Sequence, residues 1–448
     1  EGDIHRSSYR EIWRRSGQLA NALEQLDIKS GDCVATLAWN THRHMELYYA
    51  VSGRGAVLHT VNPRLFSEQI EYVINHAEDK YVFVDLSFVE LLEPIAERLT
   101  SVKGFVVMTD RAHMPETSLG PLHCYEDLLL NQPDSYDWPR FDENTAAALC
   151  YTSGTTGNPK GVLYSHRAMV LHAQATASRE LLDLHPDTVL LPMVAMYHAG
   201  AWGAPYAAPL AGCKLVLPGA GMDGASMAEL IATEKVTVGL GVPTIWLTLH
   251  NYWLDQNITA TSLQRVCVGG AASPRGMVET YHRRYGVYWQ PIWGMTETGP
   301  LATSLPPASW PLSLPDDNRL DLQTSAGRAA FGVELGIFDA AGHALPHDGK
   351  ASGELRVRGP WICSQYFKNN DMSAFPDGWL ATGDIATIDA DGILRVVDRI
   401  KDVVKSGGEW ISSLEIENIV SQHEAVSECA VIGARHPKWD ERPVLFIV

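Results

Sequence analysis

The chain has 448 residues, of which 46% are hydrophobic and 20% charged, and these proportions are ordinary for a folded protein with more than one domain. Its formal net charge of −18 argues against a general surface for nucleic acid or anionic membrane. Any anionic ligand must therefore be held by a local group of residues.

The cysteines and the apolar runs indicate the redox compartment of the protein and whether it crosses a membrane. The seven cysteines are far apart and form no CxxC pair, which favours reduced core residues in a reducing, cytoplasmic compartment. No apolar run reaches the roughly 18 residues of a membrane helix, so we expect no integral membrane contact. The chain begins at Glu1 and ends within an apolar run at Val448, and we expect that segments are missing from both ends.

Helices and strands alternate regularly in the first quarter of the chain. Apolar residues at helical spacing over residues 9–26, followed by Ser30-Gly31-Asp32, predict an amphipathic helix and a turn. The alternation that follows indicates a parallel sheet covered on both faces. The predicted strands are 33–39, 57–61, 81–85 and 105–108, and the predicted helices are 45–52, 67–77 and a segment that ends at Leu99.

The stretch YTSGTTGNPKG, residues 151–161, follows an apolar run and predicts a strand that leads into a phosphate-binding loop. Its glycines let backbone amides turn toward an anion, its hydroxyl side chains donate hydrogen bonds, and Lys160 supplies positive charge. The P-loop order GxxxxGK[ST] is absent, because Gly161 follows Lys160. A solvated turn is the alternative, but eleven contiguous residues of this kind favour a nucleotide loop.

The alternating pattern resumes after this loop. One of the later strands ends in Gly269-Gly270-Ala271-Ala272, where glycines allow a flat ligand to approach the carboxyl edge of the sheet. Residues 306–321, rich in proline and aspartate, predict a long loop. The other predicted elements are helices at 166–179, 226–234 and 413–422, and strands at 189–193, 214–217, 237–242, 263–268, 333–338, 353–357, 393–397 and 426–432. The short strands beyond residue 333 indicate a β-rich subdomain.

Two further stretches contain residue types suited to nucleotide chemistry. MYHAGAWG, residues 196–203, places His198 and Trp202 four apart, although a lone histidine is more often structural and a lone tryptophan more often core. WGMTET, residues 293–298, combines an aromatic ring with Glu297, which in isolation would be read as a solvated surface residue.

Two more stretches complete the pattern. WLATGD, residues 379–384, is expected to end a strand with a carboxylate suited to a ribose, with a Gly-Asp turn as the alternative. DRIKDVVKSGGEW, residues 398–410, alternates basic and apolar residues, and its alternative is a twisted edge strand with a turn. Together the five stretches describe an ATP site with a metal-binding acid, and the absence of Walker and kinase signatures points away from γ-phosphoryl transfer.

These motifs, in this order, closely resemble the adenylate-forming superfamily, which contains acyl-CoA synthetases, amino-acid adenylation domains and firefly luciferase. SGGEWIS and HPKWDERP, residues 436–443, look most like the fatty-acyl-CoA synthetase branch. The resemblance implies an α/β fold, with a large N-terminal domain of parallel-sheet layers and a β-rich subdomain (residues 1–398) and the start of a small mobile α+β domain (residues 399–448, incomplete).

The resemblance also implies two half-reactions and their cofactors. A carboxylate attacks the α-phosphate of ATP and releases pyrophosphate, and coenzyme A then displaces AMP to give a thioester. Mg²⁺ and cationic donors offset the repulsion between the carboxylate and the polyanion. The implied partners are ATP, coenzyme A and a small carboxylate, with no nucleic acid, and a homodimer is the candidate assembly.

Roles for individual residues follow from the same resemblance. Lys160, Glu297, His198 and Thr152 are the catalytic candidates, and Glu297 with Thr152 would bind magnesium. Asp384 would accept the ribose hydroxyls with help from Arg399. The phosphates would be held by Thr152, Ser153, Gly154, Thr155, Thr156, Gly157 and Lys160, and the adenine slot would be lined by Gly270, Ala271, Trp293, Gly294, Met295 and Thr296.

The remaining roles concern the acyl pocket and the hinge. His198 would flank the carboxylate, and Trp202, which resembles a gate on the acyl tunnel, would share the pocket with Gly270. Lys401 matches the hinge, while Lys405 and Trp410 would face the nucleotide in one orientation of the C-terminal domain. The adenylation lysine of the family lies beyond Val448, so we expect a longer protein.

Four other functions are alternatives to a fatty acid–CoA ligase. Amino-acid-activating enzymes place an aspartate for the substrate ammonium where this chain has His198, which suits an apolar tail better. An adenylating enzyme for an aryl acid or a luciferase-like oxygenase is a further alternative. A non-catalytic nucleotide sensor is disfavoured, because Lys160, Glu297, Asp384 and Arg399 are all intact.

Overall fold

The computed structural model describes residues 4–152, 158–309, 314–406, 409–420, 423, 425–426, 429–436 and 440–448, apart from the side chains of residues 308, 405, 409, 410, 414, 415, 418 and 440. Across these residues the chain forms four β-sheets with helices packed against them. No helix in these ranges is long and apolar enough to cross a membrane.

The first sheet is built from the N-terminal third of the chain. Its strands are β1 (Cys33–Leu37), β2 (Val57–Thr60), β3 (Tyr81–Val84), β4 (Gly104–Val107), β5 (Leu122–Cys124), β6 (Ala146–Tyr151) and β7 (Gly161–Ser165). Their spatial order is β5-β4-β3-β1-β2-β6-β7, and every pair is parallel except β6 and β7. Its helices are α1 (Tyr9–Gln25), α2 (His42–Gly53), α3 (Ser67–Ala77), α4 (Val89–Leu92) and α5 (Tyr125–Leu129).

The second sheet comes from the middle of the chain. Its strands are β8 (Val189–Pro192), β9 (Lys214–Leu215), β10 (Val238–Gly241), β11 (Arg265–Val268), β12 (Tyr288–Gly294), β13 (Leu301–Ser304) and β14 (Arg328–Ala329). The order is β14-β13-β12-β11-β10-β8-β9, with parallel pairing up to β12 and antiparallel pairing beyond it. Its helices are α6 (His166–Ala177), α7 (Ala204–Ala211), α8 (Gly224–Glu234), α9 (Pro243–Asp255), α10 (Arg275–Tyr285) and α11 (Asp316–Leu322).

Both sheets are buried on two faces. In β1, Val34 belongs to the core that the two sheets share, whereas Ala35 belongs to the core on the opposite face. The same alternation divides Cys267 from Val266 in β11, as expected when successive side chains of a strand point to opposite faces. The loops at the carboxyl ends of these strands are therefore connected to buried, well-packed strands.

Two antiparallel sheets follow. The third is a meander of β15 (Glu334–Phe338), β16 (Gly353–Arg358), β17 (Leu380–Ile388) and β18 (Leu394–Arg399). The fourth has the order β20-β19-β22-β21 and is formed by β19 (Val404–Ser406), β20 (Glu409–Ile411), β21 (Cys429–His436) and β22 (Asp440–Ile447), with α12 (Ser413–Val420).

The predicted alternation and the doubly covered parallel sheet are confirmed, and α3 has the predicted bounds. Three expectations are wrong. The expected loop 306–321 contains the start of α11, the helix expected to end at Leu99 is the short α4 followed by a 3-10 helix (Glu93–Arg98), and Asp384 lies inside β17 instead of at a strand end. The last expected strand begins at Cys429 in place of residue 426. Elements without a prediction include β5, β7, β12, β13, β14, α5, α7, α9 and α10.

Candidate active site

The antiparallel pair β6–β7 holds the two ends of the predicted phosphate loop together. Tyr151 pairs with Gly161, the backbone N–H of Thr152 donates to the carbonyl of Lys160 at 2.9 Å, and the N–H of Lys160 donates to the Thr152 hydroxyl at 3.4 Å. Thr152 and Lys160 are thus neighbours at the carboxyl end of β6. Ser153, Gly154, Thr155, Thr156 and Gly157, to which phosphate contacts were assigned, lie outside the described residues.

Glu297 and Lys160 are joined through a residue that the sequence analysis missed, Tyr366. The Tyr366 hydroxyl donates to Oε1 of Glu297 at 2.7 Å, and Nζ of Lys160 lies 4.8 Å from the centre of the Tyr366 ring. Glu297 is buried in the 3-10 turn Thr296–Thr298 that follows β12. Tyr366 lies between two predicted strands, where no periodicity marks a buried side chain.

Asp384 and Arg399 form an ion pair across two neighbouring strands. Residues 384 and 399 are register partners of β17 and β18, and Nε of Arg399 lies 2.9 Å from Oδ1 of Asp384. Burial raises the pKa of the Asp384 carboxyl, while Arg399 and hydrogen bonds with Thr382 and Trp293 offset part of that rise. The negative charge of Glu297 raises the same pKa further, so Asp384, Trp293 and Glu297 share one electrostatic environment.

The residues predicted to line the adenine slot lie at the ends of two adjacent parallel strands. Gly270 and Ala271 follow β11 and are exposed, and Gly270 has a φ of 80°. Trp293 and Gly294 end β12, and Met295 and Thr296 continue from it into the turn that carries Glu297. The Tyr164 hydroxyl of β7 fixes this turn by donating to the Thr296 carbonyl at 2.6 Å. Carboxyl ends of parallel strands are where open α/β sheets bind ligands.

His198 precedes a left-handed turn that contains Trp202. Residues 199–203 all have positive φ, from 44° at Ala199 to 81° at Gly203. His198 is exposed at the start of the turn, and Trp202 is buried within it. Nearby protein atoms lower the pKa of the His198 imidazole by partial desolvation, although the ring stays open to solvent.

A small cavity lies against this turn and carries no charged side chain. It is lined by Tyr48, Leu58, Thr60, Ala148, Cys150, Tyr164, Met169, Ala199, Gly200, Gly203 and Gly299. These residues come from α2, β2, β6, β7, α6, the left-handed turn and the segment just after Thr298, so the cavity lies in the core shared by the two large sheets. Its apolar wall is suited to a hydrocarbon group.

His172 of α6, also missed from the sequence, packs behind the turn. Its Nε2 accepts a hydrogen bond from the backbone N–H of Leu301 at 3.1 Å, and a Cβ placed on Gly203 would lie 2.8 Å from its ring. Burial lowers the pKa of His172 to about 3. The neutral imidazole therefore ties α6 to the segment that follows Glu297.

The segment around the predicted hinge Lys401 is held by a buried carboxylate that the sequence analysis did not single out. Asp398 accepts from the backbone N–H of Ser413 at 2.6 Å and from its hydroxyl at 2.9 Å, which joins β18 to the first turn of α12. Lys401 is exposed in the turn after β18. Lys405 and Trp410 are register partners of β19 and β20, but their predicted orientation concerns side chains outside the described residues.

The donor set at Glu297 suits a magnesium ion. Magnesium prefers oxygen ligands and commonly takes only one or two carboxylates together with substrate phosphates and water. Glu297 carries the buried carboxylate, and the hydroxyl of Thr152, the second predicted ligand, accepts from the N–H of Lys160. In the part of the chain that the structure describes, no group of three or more His, Cys, Asp or Glu side chains could form a metal cage.

Two parallel α/β layers, a β-rich meander and a small α+β unit define the adenylate-forming class of fold. The sequence profile described as AMP-binding enzyme matches residues 2–367, and the profile described as AMP-binding enzyme C-terminal domain matches residues 415–448. The chain belongs to the AMP-binding enzyme family.

Individual relatives agree with this assignment. The chain is 48% identical over 447 residues to a medium-chain-fatty-acid–CoA ligase of Ectopseudomonas oleovorans, covering 100% of this chain and 82% of the relative. It is 46% identical over 448 residues to a 3-methylmercaptopropionyl-CoA ligase of Ruegeria lacuscaerulensis, covering 100% and 83%. The crystal structure of an anthranilate CoA ligase in complex with anthranoyl-AMP superposes with a TM-score of 0.86 at 26% identity, covering 98% of this chain and 81% of the other.

Proposed function

We propose that the protein is an ATP-dependent acid–CoA ligase that activates a fatty or other aliphatic carboxylate. The observation that carries the proposal is the connected group of Lys160, Tyr366 and Glu297 beside the Asp384–Arg399 pair. It unites a cation for phosphate, an acid for metal and a carboxylate for ribose. The near-complete alignment with two CoA ligases supports the same reaction.

The reaction has two steps. A carboxylate oxygen of the substrate forms a bond to the α-phosphorus of ATP while the bond to pyrophosphate breaks. The sulfur of coenzyme A then forms a bond to the acyl carbon, AMP leaves, and the thiol proton is released. The chief obstacle in the first step is the repulsion between the carboxylate and the triphosphate.

The chain's own residues are assigned to parts of this task. Lys160 and Thr152 bind the phosphates, Asp384 holds the ribose hydroxyls with Arg399 beside it, and Trp293 stacks on adenine. Magnesium bound at Glu297 and Thr152 would neutralise phosphate charge and stabilise the departing pyrophosphate. His198 precedes the left-handed turn whose residues line the cavity, Trp202 belongs to that turn, and both are assigned to the acyl site.

The cavity favours an aliphatic acid over an amino acid. The side chains that line it carry no charge, so it offers no ionic partner to the ammonium group of an amino acid. The two relatives are ligases of different acids, a medium-chain fatty acid and 3-methylmercaptopropionate, and they have nearly equal identity to this chain. Both acids have an uncharged, flexible tail, and we propose this class for the substrate.

The division of the chain is part of the proposal. Residues 1–398 form the N-terminal domain and residues 399–448 the start of a mobile C-terminal domain that turns about Lys401 between the two steps. Magnesium dependence, a homodimer and a cytoplasmic location stay predictions from the sequence.

The test is pyrophosphate release by the full-length protein with straight-chain acids of increasing length, with and without coenzyme A. We expect acid-dependent release, and acyl-CoA when coenzyme A is present. No acid-dependent release across the panel would refute the proposal. Release that responds to amino acids or aryl acids alone would move the protein to another adenylating branch.

A variant pair tests the metal assignment. Glu297→Gln keeps the shape of the side chain but removes its charge, and we expect a loss of about 100-fold or more in the rate of pyrophosphate release. Glu334→Gln removes an exposed glutamate of β15 and is the matched control. Equal rates in both variants would show that Glu297 does not bind the metal.

A further inference from the structure

Tyr366 lies between two opposite charges of the proposed site. Its hydroxyl donates to Oε1 of Glu297 at 2.7 Å, and its ring lies under Nζ of Lys160 at 4.8 Å. Tyr366 is only 8% exposed and Glu297 only 5%. The hydrogen bond between the hydroxyl and the carboxylate is buried and gains strength away from water. The contact of the ring face with the ammonium is also favourable, although Lys160 is exposed.

The backbone around Tyr366 holds the same two parts of the site. The N–H of Cys363 donates to the carbonyl of Glu297 at 2.8 Å, and the N–H of Phe367 donates to the carbonyl of Gly161 at 2.8 Å. Residues 363–367 therefore bridge the turn that carries Glu297 and the start of β7, next to Lys160. Tyr366 is the side chain of this bridge that contacts both charges.

The neutral side chain of Tyr366 separates Lys160 from Glu297 and so prevents a direct ion pair between them. A lysine and a glutamate at the same site attract each other, and a direct ion pair would satisfy both groups before the substrate arrives. Among the ion pairs of the described residues, none joins Lys160 to Glu297. The phenol contacts each group on a different part of its surface, so both keep their charge for ligands.

We propose that Tyr366 is a positioning residue: it orients the side chain of Glu297 toward the metal and that of Lys160 toward the phosphates. Its hydroxyl fixes Oε1 and leaves Oε2 of Glu297 to serve as a metal ligand. Its ring supports the ammonium from below. The inference rests on the proposed function, because it uses the metal and phosphate roles assigned there.

Three variants of the full-length protein separate these contributions. Tyr366→Phe removes the hydroxyl and keeps the ring, whereas Tyr366→Leu removes both. Tyr281→Phe is the matched control, since it removes a buried hydroxyl that donates to the carbonyl of Trp246 at 2.6 Å in a different core.

The main measurement is ATP binding by calorimetry, with EDTA and over a series of Mg²⁺ concentrations, and the second is pyrophosphate release over the same series. For Tyr366→Phe we expect ATP affinity in EDTA within about twofold of wild type and a Mg²⁺ requirement raised about tenfold or more, because a hydrogen bond to a charged group is lost. For Tyr366→Leu we expect ATP affinity in EDTA to be about two- to fivefold lower than for Tyr366→Phe, because the cation–π contact is lost.

A merely structural role gives a different result. If Tyr366→Phe lowers the melting temperature as Tyr281→Phe does but keeps the wild-type Mg²⁺ dependence, or if Tyr366→Phe fails to fold, the proposal is overturned. Wild-type protein without acid-dependent pyrophosphate release would refute the proposed function instead, and the binding series would still decide the role of Tyr366.

Discussion

Acid should destabilise this protein through His172, whose neutral form is built into the core. The ring accepts a hydrogen bond from the N–H of Leu301 through Nε2, and a proton on Nε2 would place two donors face to face. Burial lowers the pKa of His172 to about 3, whereas a histidine in the unfolded chain titrates near 6.5. Protonation therefore favours the unfolded chain.

The sign and size of the effect follow from this difference. Because the folded-state pKa lies below the unfolded value, the unfolded chain binds the proton first, and the stabilisation is complete above about pH 6.5 and decreases as the pH falls towards 3. A pH of 5 is about 1.5 units below the unfolded pKa. Each unit is equivalent to roughly 1.4 kcal/mol, so the free energy of unfolding falls by about 2 kcal/mol. His44, whose pKa is lowered to about 4 by burial, adds a loss of its own.

Denaturant unfolding at pH 7.5 and pH 5 of wild type and His172→Gln measures this contribution. The glutamine oxygen can accept from Leu301 without titrating, so we expect the loss of unfolding free energy between the two pH values to be about 2 kcal/mol smaller in the variant. His347→Gln, at an exposed position, is the control and should follow wild type. An identical pH dependence in wild type and His172→Gln would refute the reasoning.

Three further predictions concern other parts of the site. Gly203→Ala should lower the free energy of unfolding by about 1–3 kcal/mol, because φ is 81° and the new Cβ would lie 2.8 Å from His172; an unchanged melting temperature would contradict this. Asp398→Asn should speed amide hydrogen exchange in the first turn of α12 by about tenfold, since Ser413 loses a charged acceptor, and wild-type exchange would count against the fastening role. Asp384→Asn should raise KM for ATP about tenfold or more with little change in KM for the acid, and equal changes in both would argue against ribose binding.

The sequence predicted most of the first sheet because its signals are local. A buried strand such as β3 and an amphipathic helix such as α3 each show their period within a few residues. The helix α11 was missed because proline and aspartates were read as a loop. Pro315 is its N-cap, and Asp316 and Asp317 lie in its first turn, where proline and acidic residues also favour a helix start.

Candidate site residues can be singled out where they fall within contiguous motifs and not where distant segments meet. Lys160 and Glu297 are candidates because each lies in a short stretch of distinctive composition. Tyr366 is 69 residues from Glu297, and His172 is 129 residues from Leu301, so the hydrogen bonds that give these residues their roles exist only after folding. Neither residue is set apart by its neighbours in the sequence.

The left-handed turn at residues 199–203 reverses a common rule of protein engineering. An alanine in the left-handed region costs roughly 1–2 kcal/mol, and Ala199 and Ala201 both adopt it. Replacing alanine with glycine usually weakens a protein, but at these two positions it would relieve backbone energy in the folded state. A stabilised version of this protein is therefore better sought by adding glycine to this turn than by removing it.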